Sequence, residues 1–154
     1  MLVLRRTAGR YLRSWFVVDA LGERVDCGIP VLNQAVLLQG VNDDIAPLQT
    51  LCERLIDLRV IPYYLHQLDP VAGAAHFYVD PQRGVELVEE LRRRLPGYAV
   101  PTYVREVPGA ASKLPIRPDD KFALLTFRSA SGPHELEVLF VGLLGSIRPM
   151  PCQR

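Results

Sequence analysis

Cysteine is scarce and scattered here: Cys27, Cys52 and Cys152 are the only three in 154 residues. An odd, widely spaced set argues against a disulfide framework and for a reducing compartment, so a cytoplasmic protein is expected. No Cys-x-x-Cys or Cys-x-x-x-Cys occurs, so the thiols lack metal-ligand spacing. Charge of one sign is lacking too. With 18 basic and 17 acidic residues, the bulk electrostatics do not draw the chain to nucleic acid or an anionic membrane. No apolar run approaches the ~20 residues of a membrane span, and the best candidate, 136–144, is strand-sized. A Gly-rich phosphate loop, a serine elbow and a His-Glu-x-x-His helix are all missing. So are repeats and low-complexity segments.

The length predicts one domain. Arg5, Arg6, Arg10 and Arg13 precede the first acid, Asp19, a bias that mimics a transit peptide. The apolar stretch 15–18 is too short for a signal-peptide core, and residues 1–22 read as a divergent N-terminus. Residues 29–38 form a largely apolar run that predicts a buried strand, with a turn at Gln39-Gly40. Asn42, Asp43 and Asp44 supply helix N-cap chemistry, and Pro47 suits a first turn. Leu48, Leu51, Cys52, Leu55 and Leu58 then give an amphipathic helix to about Arg59.

Residues 60–66 predict a second strand, followed by a small-residue loop over 69–75. Asp80-Pro81 caps a second helix with Val85, Val88, Leu91 and Leu95 on its apolar stripe, closed by Gly97. Its Arg92-Arg93-Arg94 run reads as cations in a last turn, paired at i,i+4 from Glu89 to Arg93 and Glu90 to Arg94. Residues 98–106 predict a third strand. Strand–helix–strand–helix–strand implies α/β architecture with parallel strands, in which ligands gather at strand carboxyl ends. Segments 121–127 and 134–141 flank a turn at 129–133 and predict a β-hairpin.

Lys113 lies in the loop 108–115, just beyond the third strand. A lysine held there is placed to condense with a carbonyl cofactor, given desolvation or a neighbouring cation to free its lone pair. Taken singly, a loop lysine is ordinarily a solvated charge. Asp69 and Glu106 also lie at strand ends, where acids commonly cap helices but are equally placed to hold a cationic substrate. His66 and His76 flank Asp69 without a third convergent ligand, which favours hydrogen bonding near a site mouth over metal binding. Tyr63-Tyr64 reads as strand packing.

Together these segments resemble the lysine 2,3-aminomutase family of radical S-adenosylmethionine enzymes. The matching stretches are 28–43, Pro-Tyr-Tyr-Leu-His-Gln-Leu-Asp at 62–69, Gly-Ala-Ala-His-Phe at 73–77, Gly-Tyr-Ala-Val-Pro at 97–101, and 108–115. The wording is similar to the branch that supplies β-lysine to elongation factor P. The resemblance implies that Lys113 carries pyridoxal phosphate and that Asp69 and Glu106 hold the substrate's distal ammonium. It places Gln34 near the cofactors. It implies an isomerase that moves an amino group from C2 to C3 of L-lysine, with S-adenosylmethionine and a 4Fe–4S cluster as further cofactors.

The family's cluster motif, Cys-x-x-x-Cys-x-x-Cys, does not occur in this chain. Nor do the upstream arginines that hold pyridoxal phosphate and the substrate carboxylate have counterparts in residues 1–22. Leu114 stands where threonine is usual. The resemblance therefore implies the C-terminal half of a partial (β/α)6 TIM-like barrel over residues 27–118. An unmatched segment, 1–26, precedes it, and a short antiparallel β tail, 119–154, follows. Three readings follow: a portion of an aminomutase inactive alone, a non-catalytic remnant, or a split-enzyme subunit needing a separate cluster-bearing N-terminal chain. The expected partners are a lysine-type small molecule and either a second copy or that missing half, with no nucleic acid, membrane or protein-held metal.

Overall fold

The computed structural model describes residues 1–5, 15–69, 71, 73–107, 110–120, 122–127 and 138–143. In chain order the elements are β1 (Leu2–Arg5), α1 (Trp15–Asp26), β2 (Val31–Val36), α2 (Ile45–Asp57), β3 (Ile61–His66), α3 (Pro81–Arg94), β4 (Thr102–Arg105), β5 (Leu114–Pro115), β6 (Phe122–Phe127) and β7 (Val138–Leu143). The first five strands form one open sheet in the order β1-β2-β3-β4-β5. β1 to β4 pair in parallel, and β5 returns antiparallel along β4. β6 and β7 pair antiparallel in a second sheet, from Phe122↔Leu143 to Phe127↔Val138. Residues 128–137, which include the expected turn and the expected strand start at His134, lie outside the described residues.

Alternation in β2 separates two faces. Val31, Asn33 and Ala35 are buried, while Leu32, Gln34 and Val36 are only half-buried. The buried face meets Leu48, Leu51, Cys52 and Leu55 of α2 and Val85, Leu87, Val88 and Leu91 of α3 in one apolar core. Sequential parallel strands joined by right-handed crossovers carry successive helices to the same face. The opposite face is the one that bears the chemistry.

The helix ends follow from local residues. Asp44 caps α2 by accepting from Ile45 N at 2.8 Å, and Asp80 caps α3 by accepting from Gln82 N at 2.8 Å, with Pro81 in the first turn. α1 and α2 both close through a left-handed residue, Gly28 at φ 74° and Arg59 at φ 59°. In each, the next amide reaches back five residues, Ile29 N to Arg24 O and Val60 N to Leu55 O. Arg59 tolerates the conformation that glycine adopts freely, and its guanidinium pairs with Asp26 at 2.8 Å.

Three expectations need correction. α3 ends at Arg94, with Leu95 rather than a residue near Gly97 as its cap, because a residue before proline avoids helical geometry; Leu95 precedes Pro96 and is extended at φ −121°, ψ 150°. Gly97–Ala99 then forms a 3-10 turn, so β4 starts only at Thr102. In the arginine run, Glu90 pairs with Arg94 as expected, but Glu89 pairs with Arg92. The sequence reading also assigned no element within 1–26, where β1 and α1 extend the same parallel sheet by one unit.

Candidate functional site

The site forms at the carboxyl ends of β2, β3 and β4, and a register shift helps to build it. Asn33 pairs with Pro62, but Gln34 pairs with Tyr64, so Tyr63 is skipped. Pro62 and Leu65 stay buried toward the helices. Tyr64 and His66 instead share the open face with Gln34 and Val36 through the pairs Gln34↔Tyr64 and Val36↔His66. Bulges commonly re-aim side chains beside functional sites. The Tyr63 and Tyr64 rings lie 3.9 Å apart, and Tyr64 meets His66 edge-on at 5.9 Å.

Two buried amides hold the loops that leave these strands. Asn42, fully buried, accepts from Leu38 N at 2.7 Å and donates to Val36 O at 2.9 Å, which ties down the exit from β2. Gln67 does the same beyond β3. Its backbone amide donates to Val104 O at 2.8 Å, its side chain donates to Val79 O at 3.0 Å, and Tyr103 donates its hydroxyl proton to Gln67 Oε1. Asp69 follows two residues later. At the third exit, the chain turns after Arg105 and comes back as β5, pairing Leu114 with Arg105. This return places Lys113 beside the end of β4.

Lys113 Nζ lies 3.1 Å from Glu106 Oε1, 3.2 Å from His66 Nε2 and 3.4 Å from Gln34 Oε1. It also lies 5.5 Å from the centre of the Tyr64 ring. His66 Nδ1 is 4.0 Å from Glu106 Oε1. An ammonium only donates, so Nε2 is the acceptor and a neutral His66 carries its proton on Nδ1, facing Glu106. Asp69 belongs to the same electrostatic group. Its carboxyl is held above the ordinary aspartate range, first by partial desolvation and then by the charge of Glu106, against the opposing pull of His66 and Lys113.

The structure thus brings Gln34, Asp69, Glu106 and Lys113 into one neighbourhood. The sequence reading placed His66 near the site mouth, where it now bridges Lys113 and Glu106. It assigned Tyr64 to packing, because no sequence signal marks the register shift. His76 lies in the turn Ala75–Phe77, its ring 4.0 Å from that of Phe77.

The donor set bears differently on the cofactors the sequence suggests. Lys113 offers a primary amine that is 27% exposed beside an aromatic ring, which fits a carbonyl cofactor such as pyridoxal phosphate. Among the described residues no three His, Cys, Asp or Glu side chains group to hold a metal ion. Cys27 is exposed, whereas Cys52 is buried in the core. These residues do not fit an iron–sulfur cluster.

No family model matches the chain. Its sequence is 41% identical over 102 residues to the L-lysine 2,3-aminomutase of Bacillus subtilis, covering 66% of this chain and 22% of that protein. It is 43% identical over 94 residues to the L-lysine 2,3-aminomutase of Clostridium subterminale (61% and 23%), and 46% identical over 89 residues to that of Escherichia coli (58% and 26%). Among solved structures, a radical SAM methyltransferase from Sphaerobacter thermophilus superposes with a TM-score of 0.54 at 22% identity, over 68% of this chain and 33% of that one. That likeness shows a shared α/β fold with a mostly parallel sheet. The chain spans about a quarter of the length of the curated relatives it matches. With several relatives at 41–46% identity, it belongs to the lysine 2,3-aminomutase family and is consistent with that family's C-terminal part.

Proposed function

We propose that this chain forms the cofactor-lysine and cation-binding part of a lysine aminomutase, which moves the amino group of L-lysine from C2 to C3. The observation that carries the reading is the position of Lys113 Nζ, within 3.4 Å of acceptors from the ends of three adjacent parallel strands. Lys113 would hold pyridoxal phosphate, which when bound would supply a conjugated system able to delocalise an unpaired electron beside the migrating nitrogen. The chain's own residues do the rest of the positioning. Gln34 and His66 orient the lysine amine, Tyr64 bounds it on one side, and Asp69 with Glu106 attracts the distal ammonium of the substrate. Two neighbouring carboxylates repel unless a cation lies between them, so the pair discriminates against neutral and acidic side chains.

β1 to β4 are proposed as strands of a partial (β/α)6 barrel, with residues 119–154 as its tail. The 154 residues offer no cysteine triplet for a cluster. S-adenosylmethionine and the cluster would then act from another polypeptide segment, and the chain alone would not turn over. Elongation factor P remains one destination for the product, supported only by the wording of 62–69 and 73–77.

Incubation with pyridoxal phosphate, borohydride trapping and peptide mapping test this directly. The chain has only two lysines, Lys113 and Lys121. The label is expected on Lys113, with a visible chromophore that Lys113→Ala abolishes. A folded protein that gains no label, or gains it on Lys121 alone, refutes the reading.

A further inference from the structure

The carboxylate assigned to a substrate ammonium already holds one. Lys113 Nζ sits 3.1 Å from Glu106 Oε1, with His66 Nε2 and Gln34 Oε1 at 3.2 and 3.4 Å. An ammonium has three donors and no acceptor, so these three atoms match its full hydrogen-bonding capacity. The pairing of Leu114 with Arg105 fixes the adjacent backbone against β4. Lys113 is therefore an intramolecular ligand, present at a high effective concentration that an outside amine must overcome.

We propose that Lys113 is the resident occupant of the ammonium position, so that Glu106 accepts an external ammonium only after Lys113 has been neutralised. This rests on the reading of Lys113 and Glu106 given above. Condensation of the Lys113 ammonium with an aldehyde forms a carbon–nitrogen double bond and breaks the carbon–oxygen one. One water and one proton leave to solvent, and the cation facing Glu106 is gone. Cofactor loading thereby opens the cation site and sets an order, cofactor first and substrate ammonium second. His66, whose Nδ1 lies 4.0 Å from the same Glu106 oxygen, acts as a positioning residue that holds Nζ beside its charge partner until that step.

Calorimetric titration of L-lysine into the full chain, without cofactor, tests the idea. Lys113→Met and Lys113→Gln, each checked for fold by circular dichroism, should bind roughly two- to fivefold more tightly than the wild type, the scale of a part-exposed ion pair. Lys113→Arg keeps the cation and should bind as weakly as the wild type. Adding Glu106→Gln to Lys113→Met should erase the gain, and norleucine, which lacks the ammonium, should show none. Equal affinity in the wild type and both neutral variants, undetectable binding included, overturns the proposal. The trapping experiment is independent. A labelled Lys113 with no gain in the neutral variants sinks the occupancy idea alone, and a gain without any label sinks only the cofactor assignment.

Discussion

Gly84→Ala should destabilise this protein even though alanine is the better helix former. Gly84 lies inside α3, and a Cβ built on it would come within 2.3 Å of Tyr103 Cζ and Oη and 2.5 Å of Cε1. The ring has nowhere to go, because Tyr103 is 2% exposed and its hydroxyl is committed to Gln67. Overpacking of this kind costs about 1–3 kcal/mol, and breaking the buried hydroxyl bond adds about 1–3 kcal/mol. The helix-propensity gain of alanine over glycine offsets only about 1 kcal/mol. The balance is a loss of about 3 kcal/mol, or a melting temperature lower by roughly 6–12 °C for a chain this size. Gly22→Ala is the matched control. It sits in α1 with nothing within 4 Å of an added Cβ, so the propensity term stands unopposed and stability should rise by up to about 1 kcal/mol. Urea denaturation of both variants decides the matter. If Gly84→Ala stabilises as Gly22→Ala does, the packing argument is wrong. Since Gln67 anchors the segment before Asp69, a true clash should also move Asp69 resonances in Gly84→Ala and leave them still in Gly22→Ala.

Three further outcomes follow from the titrating groups. Asp69 titrates above the ordinary aspartate range, so Glu106→Gln should lower its pKa and Lys113→Met should raise it, as read by carboxyl NMR; opposite movements would dissolve the electrostatic cluster. With the folded pKa above the unfolded one, stability falls as pH rises from the unfolded value, about 3.9, through the folded one. Asp69→Asn should therefore stabilise at neutral pH and add little at about pH 3, and a larger gain in acid would contradict the sign. Burial, and secondarily the charge of Glu53, pushes the Cys52 thiol up to about 12. Iodoacetamide at neutral pH should label the exposed Cys27 readily and reach Cys52 only after denaturation, and equal labelling in the native state would rule out the buried placement.

Much of the frame was legible because it rests on strong local signals. Asp44 and Asp80 announced their helices, and the leucine stripe of α2 faces the core as its spacing predicts. Two kinds of feature escaped. β1 lies in a segment with no apolar alternation, and its pairing with β2 is a long-range match that propensity does not encode. β5 is two residues long and contains Pro115, which removes a ladder donor and demotes any strand reading from sequence. The site itself was half visible. Lys113, Asp69 and Glu106 stood out as chemistry at strand ends, whereas Tyr64 entered only through the skipped residue in the β2–β3 register.

That register and the β5 return are what turn separate residues into a site. With strict alternation, Gln34 would face Tyr63, and Tyr64 would share a face with the buried Pro62. The skipped residue moves Tyr64 and His66 together onto the face that carries Gln34. The return strand then brings Lys113 back to the strand ends it had left at Arg105. Neither device adds much burial, since β5 is only two residues long. Their consequence is electrostatic: one ammonium among a carboxylate, an imidazole and an amide, with a second carboxylate nearby whose proton is held more tightly by desolvation and by Glu106, and less tightly by Lys113 and His66. An arrangement with one mobile cation and two acids can exchange that cation for another. This makes the charge state of Lys113, more than the shape of the cleft, the variable that governs what the acids bind.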